Sequence, residues 1–190
     1  MKVKTQITVK SVKADNGDTV NLEATVKDKN GKLVNKGKVI FKRNSKTIKS
    51  VNIKNGIATL NYNLGNSIAR TYKITTVYSS EKYGRVQNNT NLTVKKIPTT
   101  IKAKDIVSKG NTFTIKAKIL DNKNKNIKNN NKVTIKINGI TYQNEVKVNK
   151  GNVNIKVPTK LNKGKYTVSI LSGTNGYYAS SRKDVKLTIL

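Results

Sequence analysis

One stretch of this chain occurs twice, and that repetition sets what the chain can fold into. Tyr72 to Tyr83 runs Tyr-Lys-Ile-Thr-Thr-Val-Tyr-Ser-Ser-Glu-Lys-Tyr. Tyr166 to Tyr177 runs Tyr-Thr-Val-Ser-Ile-Leu-Ser-Gly-Thr-Asn-Gly-Tyr, 94 residues further on. Each copy begins at a tyrosine, alternates as a strand does, and ends in a polar loop with a second tyrosine 11 residues after the first. A chain of 190 residues could hold one domain or two. The repeat decides for two small β domains, residues 1–96 and 97–190. A domain of that size supports a modest hydrophobic core without disulfides.

The first copy is a series of short alternating strands. Ile7 and Val9 share one face, and Asn16-Gly17 marks a turn. Val20, Leu22, Ala24 and Val26 then recur at a period of two between polar partners, the pattern of a half-buried antiparallel strand. Asp28 to Gly31 is the next turn. Val39 and Phe41 face inward on a third strand that ends at Asn44-Ser45, and Val51 and Ile53 make a fourth. Asn55-Gly56, between Ile53 and the run Ala58, Leu60, Tyr62, predicts a tight hairpin. The Tyr72 strand follows, and Val86, Leu92 and Val94 belong to a seventh.

The second copy keeps the order. Phe113, Ile115, Ala117 and Ile119 repeat the Val20 strand; Val133, Ile135 and Ile137 repeat the Val39 strand and lead to the turn Asn138-Gly139. Val153, Ile155 and Val157, then Tyr166, Val168 and Ile170, then Val185, Leu187 and Ile189 complete the set. Asp121 to Lys132 is nearly all Asn and Lys and is expected to be an exposed loop. Lys95-Lys96-Ile97-Pro98 is expected to be a short linker, stiffened by its proline. Seven strands per copy, turns every 8–12 residues and no helical period predict an all-β fold, two tandem immunoglobulin-like sandwiches. A tyrosine opening the sixth strand, as Tyr72 and Tyr166 do, fits the tyrosine corner of such sandwiches.

The segments Ala24-Thr-Val-Lys-Asp28, Gly37-Lys-Val-Ile-Phe41, Asn55-Gly-Ile-Ala-Thr-Leu60, Tyr72 to Tyr78 and Tyr83 carry a family resemblance. The chain resembles the bacterial and archaeal Ig-like repeats found in tandem in large cell-surface proteins, including the adhesin-like proteins of methanogenic archaea. The resemblance covers both copies. It implies a role as stalk or spacer. The second copy departs from it where Asn131-Lys132 replaces Gly37-Lys38 and Ile135 replaces Phe41.

Residue chemistry excludes most other functions. Cysteine and histidine are absent, so disulfides and the usual zinc, iron or copper ligands are absent too. The nine carboxylates are scattered singly, with no pair for acid–base work and no histidine to activate a serine. An enzyme, a metal site and a cofactor are therefore not expected. Two aspartates do occupy equivalent places: Asp28 and Asp121 each close the second long strand. They are expected to cap the turns that follow. A Lys–Asn isopeptide bond beside a buried acid, as some surface adhesins form, would need these carboxyls deep between strands. Asn88-Asn89-Thr90 and Asn91-Leu92-Thr93 match the glycosylation pattern, as chance alone produces in a chain so rich in asparagine.

Charge is the remaining feature. The chain carries 39 basic and 9 acidic residues, +30 in all, and lysine supplies 35 of the cations. The excess divides evenly: 20 basic and 5 acidic residues before Ile97, 19 and 4 from there on, or +15 in each half. Such a chain should bind polyanions weakly and without selectivity at low salt. Reading of bases leans on arginine, of which there are four, and no aromatic platform interleaves with the basic residues outside the core tyrosines. Tyr83 and Tyr177 are expected to plug one end of each sandwich. Tyr178 has Gly84 as its counterpart on this alignment, and is the one aromatic expected to offer a contact.

The whole implies a non-catalytic pair of Ig-like repeats, a stalk or spacer of an extracellular or cell-surface protein. A binding module for anionic polymers is the alternative. Met1 leads straight into strand-like sequence without a long apolar run, as in a piece of a longer secreted protein. Expected partners are neighbouring repeats and an unidentified surface polymer or protein. No stretch is long and apolar enough for a membrane span.

Overall fold

The computed structural model describes residues 2–128, 131–158 and 160–190. Among the described residues there are sixteen strands and no helix. They divide into two compact units, Met1–Lys95 and Lys96–Leu190.

In the first unit, β1 (Thr5–Val9), β3 (Thr19–Asp28) and β6 (Ile57–Asn63) form a three-stranded sheet in the order β1-β3-β6. It faces a five-stranded sheet of β2 (Val12–Asp15), β8 (Val86–Lys95), β7 (Thr71–Ser79), β4 (Lys38–Arg43) and β5 (Lys46–Asn52), in that order. The alternation in the sequence explains the core. Leu22, Ala24 and Val26 of β3 point one way and meet Val39 and Phe41 of β4, Ile74 of β7 and Leu92 of β8. Glu23 and Lys27 between them face water. Full burial of a side chain such as Phe41 stabilises by roughly 1.5–3 kcal/mol.

The second unit repeats the plan. β9 (Thr99–Ala103), β11 (Thr112–Asp121) and β14 (Asn152–Pro158) form the small sheet, ordered β14-β11-β9. β10 (Ile106–Ser108), β16 (Ser181–Ile189), β15 (Gly164–Ser172), β12 (Lys132–Ile137) and β13 (Ile140–Lys147) form the large one. Each unit is thus an Ig-like sandwich with eight strands rather than seven. The additional strand is β2 or β10, only four or three residues long. It runs parallel to the last strand, Val12 beside Leu92 and Ile106 beside Leu187. The first strand is therefore split: β1 belongs to the small sheet and β2 to the large one.

Asn55-Gly56 forms the tight turn its residues require, with φ of 50° and 78°. It is not a hairpin within one sheet, because β5 and β6 lie in different sheets. The chain crosses the sandwich there. Glycine is required at this crossing, since a Cβ at Gly56 would lie 2.6 Å from Leu33, and one at Gly151 2.8 Å from the Ile119 carbonyl oxygen. The true hairpin turns are Asn44-Ser45 and Asn138-Gly139.

The segment expected to be loose is held, and the linker is short. Ile127 is fully buried and Asn126 bridges Leu120, so the segment after Asp121 folds back onto the core; Asn129 and Asn130 lie outside the described residues. Lys95 is the last residue of β8, and Ile97 is already hydrogen-bonded in the second unit, donating to Tyr177 O at 2.8 Å and accepting from the Ala179 N–H at 2.9 Å.

Candidate functional site

The two turn aspartates do the same work in both units. The Asn30 and Lys32 N–H groups donate to Asp28 Oδ1 at 2.9 and 3.0 Å. The Lys123 and Lys125 N–H groups donate to Asp121 Oδ1 at 2.8 and 2.9 Å. Both carboxylates turn toward their own loops, and neither lies between the sheets. Among the described residues no three acids gather to hold a metal ion. Asp184 is exposed and bridged by Arg182 at 3.0 and 3.1 Å, and that guanidinium holds its carboxyl below the usual range. Asn88, in one of the glycosylation patterns, donates its side-chain amide to the Ile7 carbonyl at 2.9 Å.

The tyrosines near the start of β7 and β15 each hold the loop leading into that strand. Tyr72 donates its hydroxyl to Ile68 O at 2.8 Å, and Tyr166 to Asn162 O at 2.9 Å. Tyr72 is 4% exposed, but Tyr166 is only half-buried, shallower than its repeat partner. Covering residues make the difference, as the pocket described below makes clear.

The second tyrosines need a correction of alignment. Val3 bridges Tyr83, and Ile97, 94 residues later, bridges Tyr178. Tyr178 is therefore the counterpart of Tyr83, and Tyr177 that of Lys82. Nor is Tyr178 an exposed contact: it is 7% exposed and its hydroxyl accepts from the Lys128 N–H at 3.3 Å. The reason lies in three neighbouring positions. In the first unit Tyr78 fills the core end, donating to Lys36 O at 2.8 Å, and Tyr83 packs beside it at 6.5 Å. Burial pushes the Tyr78 hydroxyl above the ordinary tyrosine range. Gly37 leaves room for that ring, since a Cβ there would lie 2.6 Å from it. In the second unit Ser172 stands at the register of Tyr78 and Asn131 at that of Gly37. Asn131 donates to Ser172 Oγ and Gly173 O, both at 3.2 Å, and Tyr178 sinks into the end of the core. Tyr177 remains half-buried against the same core.

The feature that sequence reasoning missed is a basic and aromatic pocket of about 430 Å³ on the first unit. Arg43, Lys46, Ile48, Tyr62, Arg70 and Tyr72 line it. The guanidinium carbons of Arg43 and Arg70 each lie 4.7 Å from the Tyr72 ring centre, and that of Arg43 lies 5.8 Å from the Tyr62 ring centre. Such stacking is favourable because a cation sits over the electron-rich ring. Arg43 is braced by a hydrogen bond to Ser67 Oγ at 2.8 Å; Ser67 in turn donates to Leu64 O and accepts from the Asn16 amide at its carbonyl. The strand turn at Asn44 and the loop before β7 bring these residues together: the Lys73 N–H donates to Asn44 Oδ1 at 3.1 Å. Half of the chain's four arginines meet here, which the even division of net charge concealed.

Among the described residues of the second unit the matching positions lack the arginines and the second ring. Register places Ile137 where Arg43 stands, Val157 where Tyr62 stands, and Gly164 where Arg70 stands. Without the arginines Tyr166 loses its cover, hence its greater exposure. This unit instead carries a broader groove of about 830 Å³ lined by Lys102, Lys104, Lys116 and Lys118 beside Ile106 and Val107, without an aromatic ring.

Residues 7–95 match the family model of bacterial Ig-like domains (group 3). No curated protein matches the chain in sequence. Among solved structures, a fragment of titin spanning several of its domains shares 15% identity at a TM-score of 0.61; the match covers 97% of this chain and 65% of the fragment. The titin z1z2 domains, solved in complex with telethonin, share 13% identity at a TM-score of 0.52, covering 98% of this chain and 96% of that one. The adhesin InvE of Yersinia pseudotuberculosis shares 14% identity at a TM-score of 0.43, covering 97% and 59%. The fold is thus that of Ig-like domains, and the first unit is similar in sequence to the bacterial group.

Proposed function

We propose that this pair is a non-catalytic, load-bearing spacer of a cell-surface protein. One observation carries the reading: the parallel pairing of β2 with β8 and of β10 with β16. These strands lie toward opposite chain ends of each unit. When parallel neighbours are pulled from opposite ends, the hydrogen bonds between them are loaded side by side and must give way together. An antiparallel ladder pulled from one end would open one rung at a time. The arrangement recurs in both units, as a spacer under tension requires. The bacterial Ig-like match of the first unit supports a setting outside the cell.

Pulling the whole chain by its two ends tests this. Two separate rupture events are expected, each lengthening the chain by the roughly 330 Å that 95 extended residues span at 3.3–3.6 Å per residue, less the span of the folded unit. Forced unfolding reports the unfolding rate rather than equilibrium stability. The second unit has the shorter parallel patch, three residue pairs against four, and should rupture at the lower force. Smooth extension without discrete events would refute the spacer. The setting is tested separately, by antibody labelling of intact cells.

The net charge of +30 favours a second role, loose attraction of anionic wall polymers. It acts through the field of both units rather than through a shaped site.

A further inference from the structure

We propose that the Arg43–Tyr62–Arg70–Tyr72 pocket of the first unit binds the oxyanion of an acidic sugar, a uronate carboxylate or a sulfate ester, on a surface polysaccharide. This goes beyond the spacer reading and does not rest on it. Three cations, Arg43, Lys46 and Arg70, converge on a cavity whose lining contains no carboxylate. Lone lysines spread over a face produce only a diffuse field, but these cations are concentrated and two of them are oriented. A guanidinium over a ring can still present N–H groups at its edge, and beyond the one that Arg43 gives to Ser67 they form the fork that matches a carboxylate or sulfate. Arg43 is held in place by Ser67, so part of the ordering cost of binding is met before the ligand arrives.

The rest of the lining selects the carrier. Tyr62 is half-buried and Ile48 half-buried beside it, a low apolar wall suited to the C–H face of a sugar ring. A nucleobase needs an open aromatic face to stack on. Tyr72, 4% exposed with both guanidinium carbons 4.7 Å from its ring centre, does not offer one, and half-buried Tyr62 is a single ring where a run of bases needs successive ones. The volume of about 430 Å³ lies toward the small end of the range for ligand sites and suits one or two sugar units. The second unit, with Ile137, Val157 and Gly164 at the matching positions, serves as a natural blank.

The experiment titrates the full chain by calorimetry at about 0.15 M salt, where the diffuse field is largely screened. The probes are an oligogalacturonide, a heparin-derived tetrasaccharide, a neutral chito-oligosaccharide and a single-stranded DNA oligonucleotide. Binding of either acidic sugar with a stoichiometry of one is expected; binding of the oligogalacturonide identifies the carboxylate, and binding of the heparin fragment, which carries both groups, without the oligogalacturonide points to the sulfate. Combined Arg43→Gln and Arg70→Gln should weaken it by about tenfold or more, the scale of a lost charge-assisted pair. Combined Lys27→Gln and Lys54→Gln makes the same charge change near the other end of β3 and should leave affinity within about twofold if only the screened field is altered. Should Arg43→Gln lower the melting temperature, the exposed Arg70→Gln alone carries the test, and Arg70→Lys, which keeps the charge but loses the fork, should still bind more weakly. No binding of either acidic sugar, equal loss in the lysine variant, a stoichiometry of two, or DNA binding as tightly as sugar would overturn the proposal.

Discussion

Tyr72 and Tyr166 make the same hydrogen bond at the same place in the repeat and yet are buried to different depths. Substitution should separate those two contributions. Phenylalanine removes only the hydroxyl, so Tyr72→Phe and Tyr166→Phe should each cost about 1 kcal/mol, the net worth of one hydrogen bond. Alanine also removes the ring. Tyr72→Ala should then cost roughly 3–5 kcal/mol, as for other buried aromatic residues. Tyr166→Ala should cost distinctly less, because its ring is only half-buried and no arginine lies over it. Denaturant unfolding of each variant measures this, and equal alanine costs would show that the arginines contribute nothing to the burial of Tyr72. The existence of these tyrosines and their spacing were legible in the sequence. The depth was not, since it depends on Arg43 and Arg70, which lie 27 residues apart in sequence and meet only once β4 and β7 pair.

At the level of strands, alternation named the inward residues because a period of two has only two faces to choose from. Leu22, Ala24 and Val26, and Ile115, Ala117 and Ile119 after them, are buried as their period dictates. What alternation does not encode is which sheet a strand joins. Asn55-Gly56 specifies a tight turn, and a tight turn serves equally for a hairpin and for a crossing between sheets. The strands β2 and β10 escaped notice because three or four residues show no period. The crossing turns also allow a test. Alanine at either glycine must adopt positive φ, 78° at Gly56 and 77° at Gly151, at about 1–2 kcal/mol. At Gly56 the new Cβ meets Leu33, its Cδ2 at 2.6 Å and its Cβ at 2.7 Å; the Cδ2 can swing away, but the Cβ moves only with its backbone. At Gly151 it meets backbone, the Ile119 carbonyl oxygen at 2.8 Å and the Ile127 nitrogen at 3.1 Å. Gly151→Ala and Gly56→Ala should therefore each cost roughly 2–5 kcal/mol, the strain plus an overpacking penalty. A loss below about 1 kcal/mol at either position in urea melts would mean that the crossing shifts to admit the methyl without strain.

Over the whole molecule the charge acts without regard to architecture. The separated halves, residues 1–95 and 96–190, carry +14 and +16 and should bind an unselective polyanion with similar strength at low salt. Exposed lysines farther apart than the Debye length, about 8 Å in physiological salt, are largely screened. That common binding should fade as salt rises, and any residue of it that survives in the first half alone belongs to the arginine pocket. A salt titration of both halves against two unrelated polyanions reads this directly; persistent tight binding by the second half would place a shaped site in the lysine groove after all. The exchange of Gly37, Tyr78 and Tyr83 for Asn131, Ser172 and Tyr178 has a further consequence, for the way the chain folds. Neighbouring repeats made of interchangeable strands can pair across the wrong copies while both are still forming. Here a β7 segment inserted beside β12 would drive the Tyr78 ring against the Asn131 side chain, and a β15 segment inserted beside β4 would leave Ser172 facing an empty end of the core. Each core accepts its own strand and rejects its neighbour's, so the two copies share a plan while their parts stay unexchangeable.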